Sequence, residues 1–299
     1  MGGEALAELL QDADLEDEPD GDEADDEDDV PEPPAEPKSE RGRIYQLGNH
    51  RLMCGDSTSQ EDAKMLMGGE LADAVFTDPP WNVSYGTNLR ANNAQHYKVR
   101  TILNDSMTTD DFKKFMEKTW SVMDSSSKRG APTYIVMSAQ EWGNLMLSLK
   151  EAGYHWSSTI IWAKDKLIFS RKDYHTQYEP IWYGWHEDCA RLHKVEDRTQ
   201  TDLWQIPRPR RSAEHPTMKP VELVEKAIGN SSDPGDIVLD LFGGSGTTLI
   251  ASENTGRRCR MMELAPTYCD VIRKRWAEHV HGEGCDWVSL TPEIEGGAE

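Results

Sequence analysis

Apolar residues along this chain fall into two rhythms. Short unbroken runs read as strands buried on both faces: Leu71-Ala72-Asp73-Ala74-Val75-Phe76-Thr77, Ala131 to Met137, Ser158 to Trp162, Glu179 to Gly184, Asp236 to Leu241 and Arg257 to Met262. Between them, Asp110 to Met123, Ser138 to Ala152, Val221 to Ile228 and Leu249 to Asn254 read as helices, and another is expected to start near Glu61. Pro266 opens a last helix in which Tyr268, Val271, Ile272, Trp276 and Val280 recur at helical spacing, a stripe that reads as core. Strands alternating with amphipathic stretches predict an α/β fold with a mostly parallel sheet.

Two strand ends carry candidate chemistry. The first run stops at Asp78-Pro79-Pro80-Trp81. Consecutive prolines have fixed φ and no N–H, so they end the strand and stiffen the turn. An acid, unclaimed carbonyls and an aromatic plate then stand together, which suits a planar ring bearing an amino group, such as a nucleobase. The bland alternative is a Pro-Pro turn used as punctuation. The second strand, Asp236 to Leu241, holds Asp240 and runs into Phe242-Gly243-Gly244-Ser245-Gly246-Thr247-Thr248 before a helix. Glycines allow a sharp bend and close approach of a ligand to the helix N-terminus. The next strand ends in Glu263, 17 residues after Gly246, where an acid in nucleotide-type sites holds ribose hydroxyls. A helix-start acid is the plain alternative for Glu263. The loop lacks the third glycine of the dehydrogenase fingerprint, and no lysine follows it as in a P-loop.

Composition changes the picture at the N-terminus. The formal charge is −22, and residues 1 to 40 hold 18 of the 54 acids but one of the 32 Lys and Arg. With few apolar residues to offset ordering entropy, this arm is expected to be disordered, as a linker or as a mimic of nucleic acid. Residues 41 to 299 remain for one domain. Five scattered cysteines without a C-x-x-C pair suggest neither disulfides nor a zinc site, so no metal is expected. With no signal peptide and no membrane-length apolar run, a cytoplasmic protein with no membrane partner is expected.

With Asp78-Pro79-Pro80-Trp81 and the Phe-x-Gly-x-Gly loop from Phe242 to Gly246, the chain resembles the amino-group DNA methyltransferases of bacteria and phages, adenine N6 or cytosine N4. The catalytic motif precedes the cofactor loop by about 160 residues, which is similar to the permuted beta group. Protein glutamine methyltransferases carry a related Asn-Pro-Pro-aromatic motif, but in the opposite order. The resemblance covers roughly residues 43 to 280. It implies a Rossmann-like, seven-stranded, mostly parallel sheet with helices on both faces, S-adenosylmethionine as cofactor and double-stranded DNA as partner in a bacterial cell, beside the nucleoid. A homodimer is a further expectation of the group.

The resemblance also assigns roles. Asp78, Pro79, Pro80 and Trp81 are the catalytic set, holding and stacking a flipped base. Asp56 in Cys54-Gly55-Asp56-Ser57 is the expected contact to the cofactor adenine; read alone, it equally caps the helix near Glu61. Thr217 and Lys219 in His215 to Leu223 close over the methionine part, with Asp240, Phe242, Gly244, Ser245, Gly246, Thr247 and Glu263 completing the cofactor site. Tyr85 to Lys98 reads as a loop over the base. Target recognition falls in residues 185–214, where Arg191, Lys194, Arg198, Arg208, Arg210 and Arg211 are the DNA-binding candidates. So short an insert predicts a short or relaxed target. Asp rather than Ser at the first motif position favours adenine N6 over cytosine N4. A catalytically silent DNA-binding regulator is the alternative from a different class.

Overall fold

The computed structural model describes residues 28, 30–83, 105–168, 173–209 and 218–294. The expected loop from Tyr85 to Lys98, Thr217, Arg210, Arg211 and most of the acidic arm lie outside them.

Ten strands are described: β1 (Ile44–Leu47), β2 (His50–Cys54), β3 (Ala74–Thr77), β4 (Thr133–Val136), β5 (Tyr154–Ile168), β6 (Thr176–His186), β7 (Leu203–Gln205), β8 (Ile237–Asp240), β9 (Arg258–Glu263) and β10 (Glu293–Ile294). They form one sheet in the order β10-β1-β2-β9-β8-β3-β4-β6-β5-β7. The sheet thus has ten strands where seven are expected; the six runs read from the sequence, with β2, form its contiguous centre from β2 to β5. Three more extend its edges: β7 lies parallel to β5, while β1 and β10 pair antiparallel beyond β2. The edge strands are short, so their hydrophobic pattern is too brief to stand out. In the centre, β2, β9, β8, β3 and β4 run parallel, and β6 is antiparallel to β4 and β5.

Helices cover both faces, as fully buried central strands require. On one face, α1 (Gln60–Met67), α2 (Thr109–Ser126) and α3 (Trp142–Glu151) bring Leu66, Phe112, Met116, Trp120 and Leu149 against Val75, Ile135 and Leu239. On the other, α4 (Val221–Gly229), α5 (Thr247–Asn254) and α6 (Pro266–His281) bring Val224, Leu249, Cys269 and Trp276 against Phe76, Val136 and Val238. Leu66 and Phe112 are at most 1% exposed, and burial of each stabilises the fold by about 1.5–3 kcal/mol. A four-residue helix, α7 (Trp287–Leu290), precedes β10.

The last long helix differs from its expected stripe. Val271, Ile272 and Trp276 are buried, but Tyr268 is half-buried and Val280 is 42% exposed. Buried polar residues take their place. Asp270 accepts from the Lys38 and Ser39 N–H groups and the Ser39 hydroxyl, and Arg273 donates to Ser39 and Thr291. These partners lie far away in sequence, so helical spacing could not reveal them. Two points of the acidic arm thus touch the domain: Lys38 and Ser39 at Asp270, and Asp28, whose side chain accepts from Val221 N–H at 3.1 Å. Among the described residues no helix is long and apolar enough to cross a membrane.

Candidate active site

The two motifs meet where the sheet changes direction of growth. β8 lies between β9 and β3, and all three run parallel, so Glu263, Asp240 and Asp78 follow one another along the same strand-end edge. Open α/β sheets bind ligands at this switch point.

Asp78 stands at the end of β3 with side-chain partners on both oxygens. Trp81 Nε1 donates to Oδ1 at 3.0 Å, and Lys219 Nζ donates to Oδ2 at 2.6 Å. The Lys219 ammonium also sits 4.9 Å from the centre of the Trp81 ring. Asn82, next in the chain, takes a left-handed φ of 54°, which asparagine tolerates better than most residues. Its Oδ1 accepts from Met107 N–H at 2.6 Å, so the turn is braced from the far side. Asp78 keeps 28% of its side-chain area exposed against 6% for Lys219. Burial opposes the charge on Lys219, but the Asp78 and Glu179 carboxylates more than offset it and hold its pKa above the ordinary lysine range. Burial raises the pKa of Asp78, and Lys219 counters that rise.

The cofactor-type loop is built differently, largely from backbone. Gly246 is the N-cap of α5 with φ 88°, and a Cβ there would lie 3.2 Å from Ile272. Glycine therefore answers both the left-handed backbone and the close approach. Asp240, 3% exposed, accepts from the Thr77 hydroxyl at 2.9 Å and Phe242 N–H at 3.0 Å, clamping the end of β8 to β3. Burial raises its pKa to about 6 against those donors. Glu263 accepts from Gly244 N–H at 2.9 Å and Ala265 N–H at 2.8 Å; burial raises its pKa to about 7. From beneath, Arg275 donates to the Ser245 carbonyl and the Thr247 hydroxyl. The sequence reading missed Arg275, whose only signal was a charge on the buried side of its helix.

Asp56 lies beyond the end of β2 on the wall of a cavity of about 330 Å³ shared with Thr58, Met107, Asp111 and Phe115. Phe242 packs on Phe115 with ring centres 5.8 Å apart. Asp56 does not cap α1: Ser59 is the N-cap and accepts from Asp62 N–H, while Asp56 accepts from Thr58. The glycine cradle and carboxylate acceptors suit a nucleoside with ribose hydroxyls.

The basic insert divides between the two edges of the sheet. Leu192 N–H bonds the Gly130 carbonyl, His193 lies 3.3 Å from Asp236, and Gln200 bonds Asn230. These contacts hold the stretch carrying Arg191, Lys194 and Arg198 near the starts of β4 and β8, away from Asp78. After β7 the chain reaches the catalytic edge, where Ile206 accepts from Trp162 Nε1 and Arg208 N–H bonds Asp165. Of the described candidates, Arg208 alone shares the Asp78 edge. Glu179, read as scaffold, lies 3.3 Å from Lys219; its signal was an acid opening an otherwise apolar strand.

The profile of the DNA methylase family that modifies N6 or N4 amino groups matches residues 72–274, enclosing both motifs. The chain belongs to the N6/N4 DNA methylase family. A type II methyltransferase of Streptococcus pneumoniae, M2.DpnII, is 25% identical to this DNA methylase over 222 residues, covering 69% of this chain and 82% of the relative. The DNA adenine methyltransferase YhdJ of Escherichia coli K12 is 26% identical over 241 residues, with 69% and 76% covered. Among solved structures, the M1.HpyAVI complex with S-adenosylmethionine superposes with a TM-score of 0.55 at 23% identity, over 75% of this chain and 98% of that one. The PvuII cytosine-N4 DNA methyltransferase superposes with a TM-score of 0.61 at 16% identity, over 84% and 94%. The DNA methylase thus shares their fold, and S-adenosylmethionine is its cofactor as a member of the family.

Proposed function

We propose that this DNA methylase transfers a methyl group from S-adenosylmethionine to the exocyclic N6 of a flipped-out adenine in double-stranded DNA. The observation that carries this reading is Asp78, held at a strand end by side chains alone, next to Trp81 and on the same edge as the glycine loop. Partners of that kind can be exchanged for a ligand. The amino nitrogen of adenine is a weak nucleophile because its lone pair is delocalised into the ring. Hydrogen bonds from its protons to Asp78 and to the Pro79 carbonyl favour a pyramidal nitrogen with the lone pair directed outward. Pro80 keeps the turn stiff, and Trp81 stacks on the ring. Catalysis here is positioning and electrostatics.

The cofactor supplies an activated methyl on sulfur. Gly244, Ser245, Gly246 and Thr247 offer a close-fitting backbone, Phe242 flanks the cavity, Glu263 accepts from ribose hydroxyls, and Asp56 faces the cofactor adenine. Asp240 fixes the loop that does this. Thr217 and Lys219 border the site by sequence position, with the Lys219 ammonium turned to Asp78. Arg208 is the DNA-facing candidate among the described residues on this edge.

Adenine is favoured over cytosine by Asp at the first position of the motif, and a relative matched over 69% of this chain is named a DNA adenine methyltransferase. Single-molecule sequencing of DNA from a methylation-negative host expressing the chain tests base and context together. N6-methyladenine in a short or relaxed context is expected; a uniquely modified site of about six base pairs or more would contradict the reading of the insert as a small recognition element.

A further inference from the structure

Asp78 is one end of a row of four charges. Lys219 Nζ donates to Asp78 Oδ2 at 2.6 Å and lies 3.3 Å from Glu179 Oε2; Lys164 Nζ donates to Glu179 Oε1 at 2.6 Å. The signs alternate. Along the row, side-chain exposure is 28% at Asp78, 6% at Lys219, 12% at Glu179 and 4% at Lys164, so the row opens to solvent at Asp78. The two oxygens of Glu179 are unequal. Oε1 holds Lys164, while Oε2 is buried and makes no hydrogen bond.

An amino group arriving at Asp78 competes for a carboxylate whose oxygens now serve Trp81 and Lys219. A buried ammonium whose hydrogen bond is weakened is better held where a second carboxylate stands beside it. Glu179 Oε2 offers a second acceptor, and a movement of well under ~1 Å would turn the 3.3 Å contact into a full hydrogen bond. We propose that Glu179 is a positioning residue that receives the Lys219 ammonium when the amino group of the flipped base takes the Asp78 carboxylate. The inference rests on the reading of Asp78 as the amino acceptor. Only hydrogen bonds are exchanged, and Lys219 keeps its proton throughout. Lys164 keeps the receiving carboxylate charged and the row neutral overall.

The groups facing this row are Asp240 beyond Asp78 and Arg208 beyond Lys164. The Glu179 charge raises Asp78, so its removal moves the Asp78 titration to lower pH and takes one of the two carboxylates from Lys219. The test compares DNA methyl transfer by the full chain with Glu179→Gln, Glu179→Asp, Lys219→Met and Lys219→Met/Glu179→Gln. We expect Glu179→Gln to lower kcat by roughly 10–100-fold, with KM for S-adenosylmethionine within about threefold and the acid limb of the rate profile displaced to lower pH. Glu179→Asp, which retains the charge, should recover part of the rate with the limb in place. In the Lys219→Met background, Glu179→Gln should cost less than about twofold, because no ammonium remains to be received. Independent, multiplicative losses in the double variant, or a lowered rate with an unmoved acid limb in Glu179→Gln, would overturn the proposal and leave Glu179 a packing residue. Should Glu179→Gln not fold, Glu179→Asp decides: a rate equal to that of Lys219→Met with a displaced limb overturns it. A wild-type chain that transfers no methyl group to DNA would overturn the proposed function itself, whereas full activity in Glu179→Gln would overturn this inference alone.

Discussion

β3 carries an aspartate at each end, and the two are held in opposite ways. Asp73, just before the strand, is 5% exposed, accepts from Ile237 N–H at 3.0 Å and pairs with Lys128 at 2.5 Å. Its own N–H donates to the Ile237 carbonyl. This acid ties the start of β3 to the start of β8 through backbone, and nothing can replace that partner without opening the sheet. Asp78, past the other end, is bound by Lys219 and Trp81 side chains and remains 28% exposed. The same residue type is structural where its partners are backbone and available for chemistry where they are side chains.

Exchanging the roles should therefore fail in both directions. Asp78→Ala is expected to reduce methyl transfer by roughly 10³-fold, while the melting temperature falls by only a few degrees because Lys219 keeps Glu179 as a carboxylate partner; rate assays and thermal melts of one preparation check both. Asp73→Ala should do the reverse. Loss of the buried acceptor orphans Ile237 N–H and should lower unfolding free energy by about 2–3 kcal/mol in urea titration, with activity per folded molecule unchanged.

The cofactor loop sharpens the contrast, because Glu263 is held by backbone N–H groups yet is proposed to accept from ribose hydroxyls. Its folded pKa of about 7 lies above the ordinary carboxylate value, so its contribution to stability is fully present below the unfolded pKa. That contribution is lost as pH rises through about 7. Ribose hydroxyls donate to the ionised form. Affinity for S-adenosylmethionine should consequently rise by roughly tenfold between about pH 5.5 and about pH 8 in calorimetry, and flatten in Glu263→Gln. Gly246→Ala, forced to a φ of 88° and against Ile272, should cost about 1 kcal/mol of stability and weaken the cofactor severalfold, with no effect on DNA binding.

What could be read from the chain alone follows the same division. Asp78-Pro79-Pro80-Trp81 and the Gly243 to Gly246 loop are visible because proline and glycine set backbone geometry locally, whatever surrounds them. The hairpin of β1 and β2 is not among the expected strands, although Gly48 and Asn49 form a two-residue turn, with Leu47 facing His50, and Gly48 has a φ of 55°. The pairing of Lys219 with Asp78 spans 141 positions, and Glu179 joins them from β6, so no spacing encodes the row. The charges of Arg191, Lys194 and Arg198 were legible, but which edge of the sheet they reach depends on how residues 187–200 fold against Gly130, Asp236 and Asn230.

The central claim is that Asp78 receives the amino group of a flipped adenine. Mass spectrometry of nucleosides from DNA incubated with methyl-labelled S-adenosylmethionine, with the wild-type chain and with Asp78→Ala in parallel, tests it most directly. Labelled N6-methyladenine with the wild type and none above background with Asp78→Ala is the expected result. Label on cytosine N4, or on adenine at an equal rate in both proteins, would contradict it.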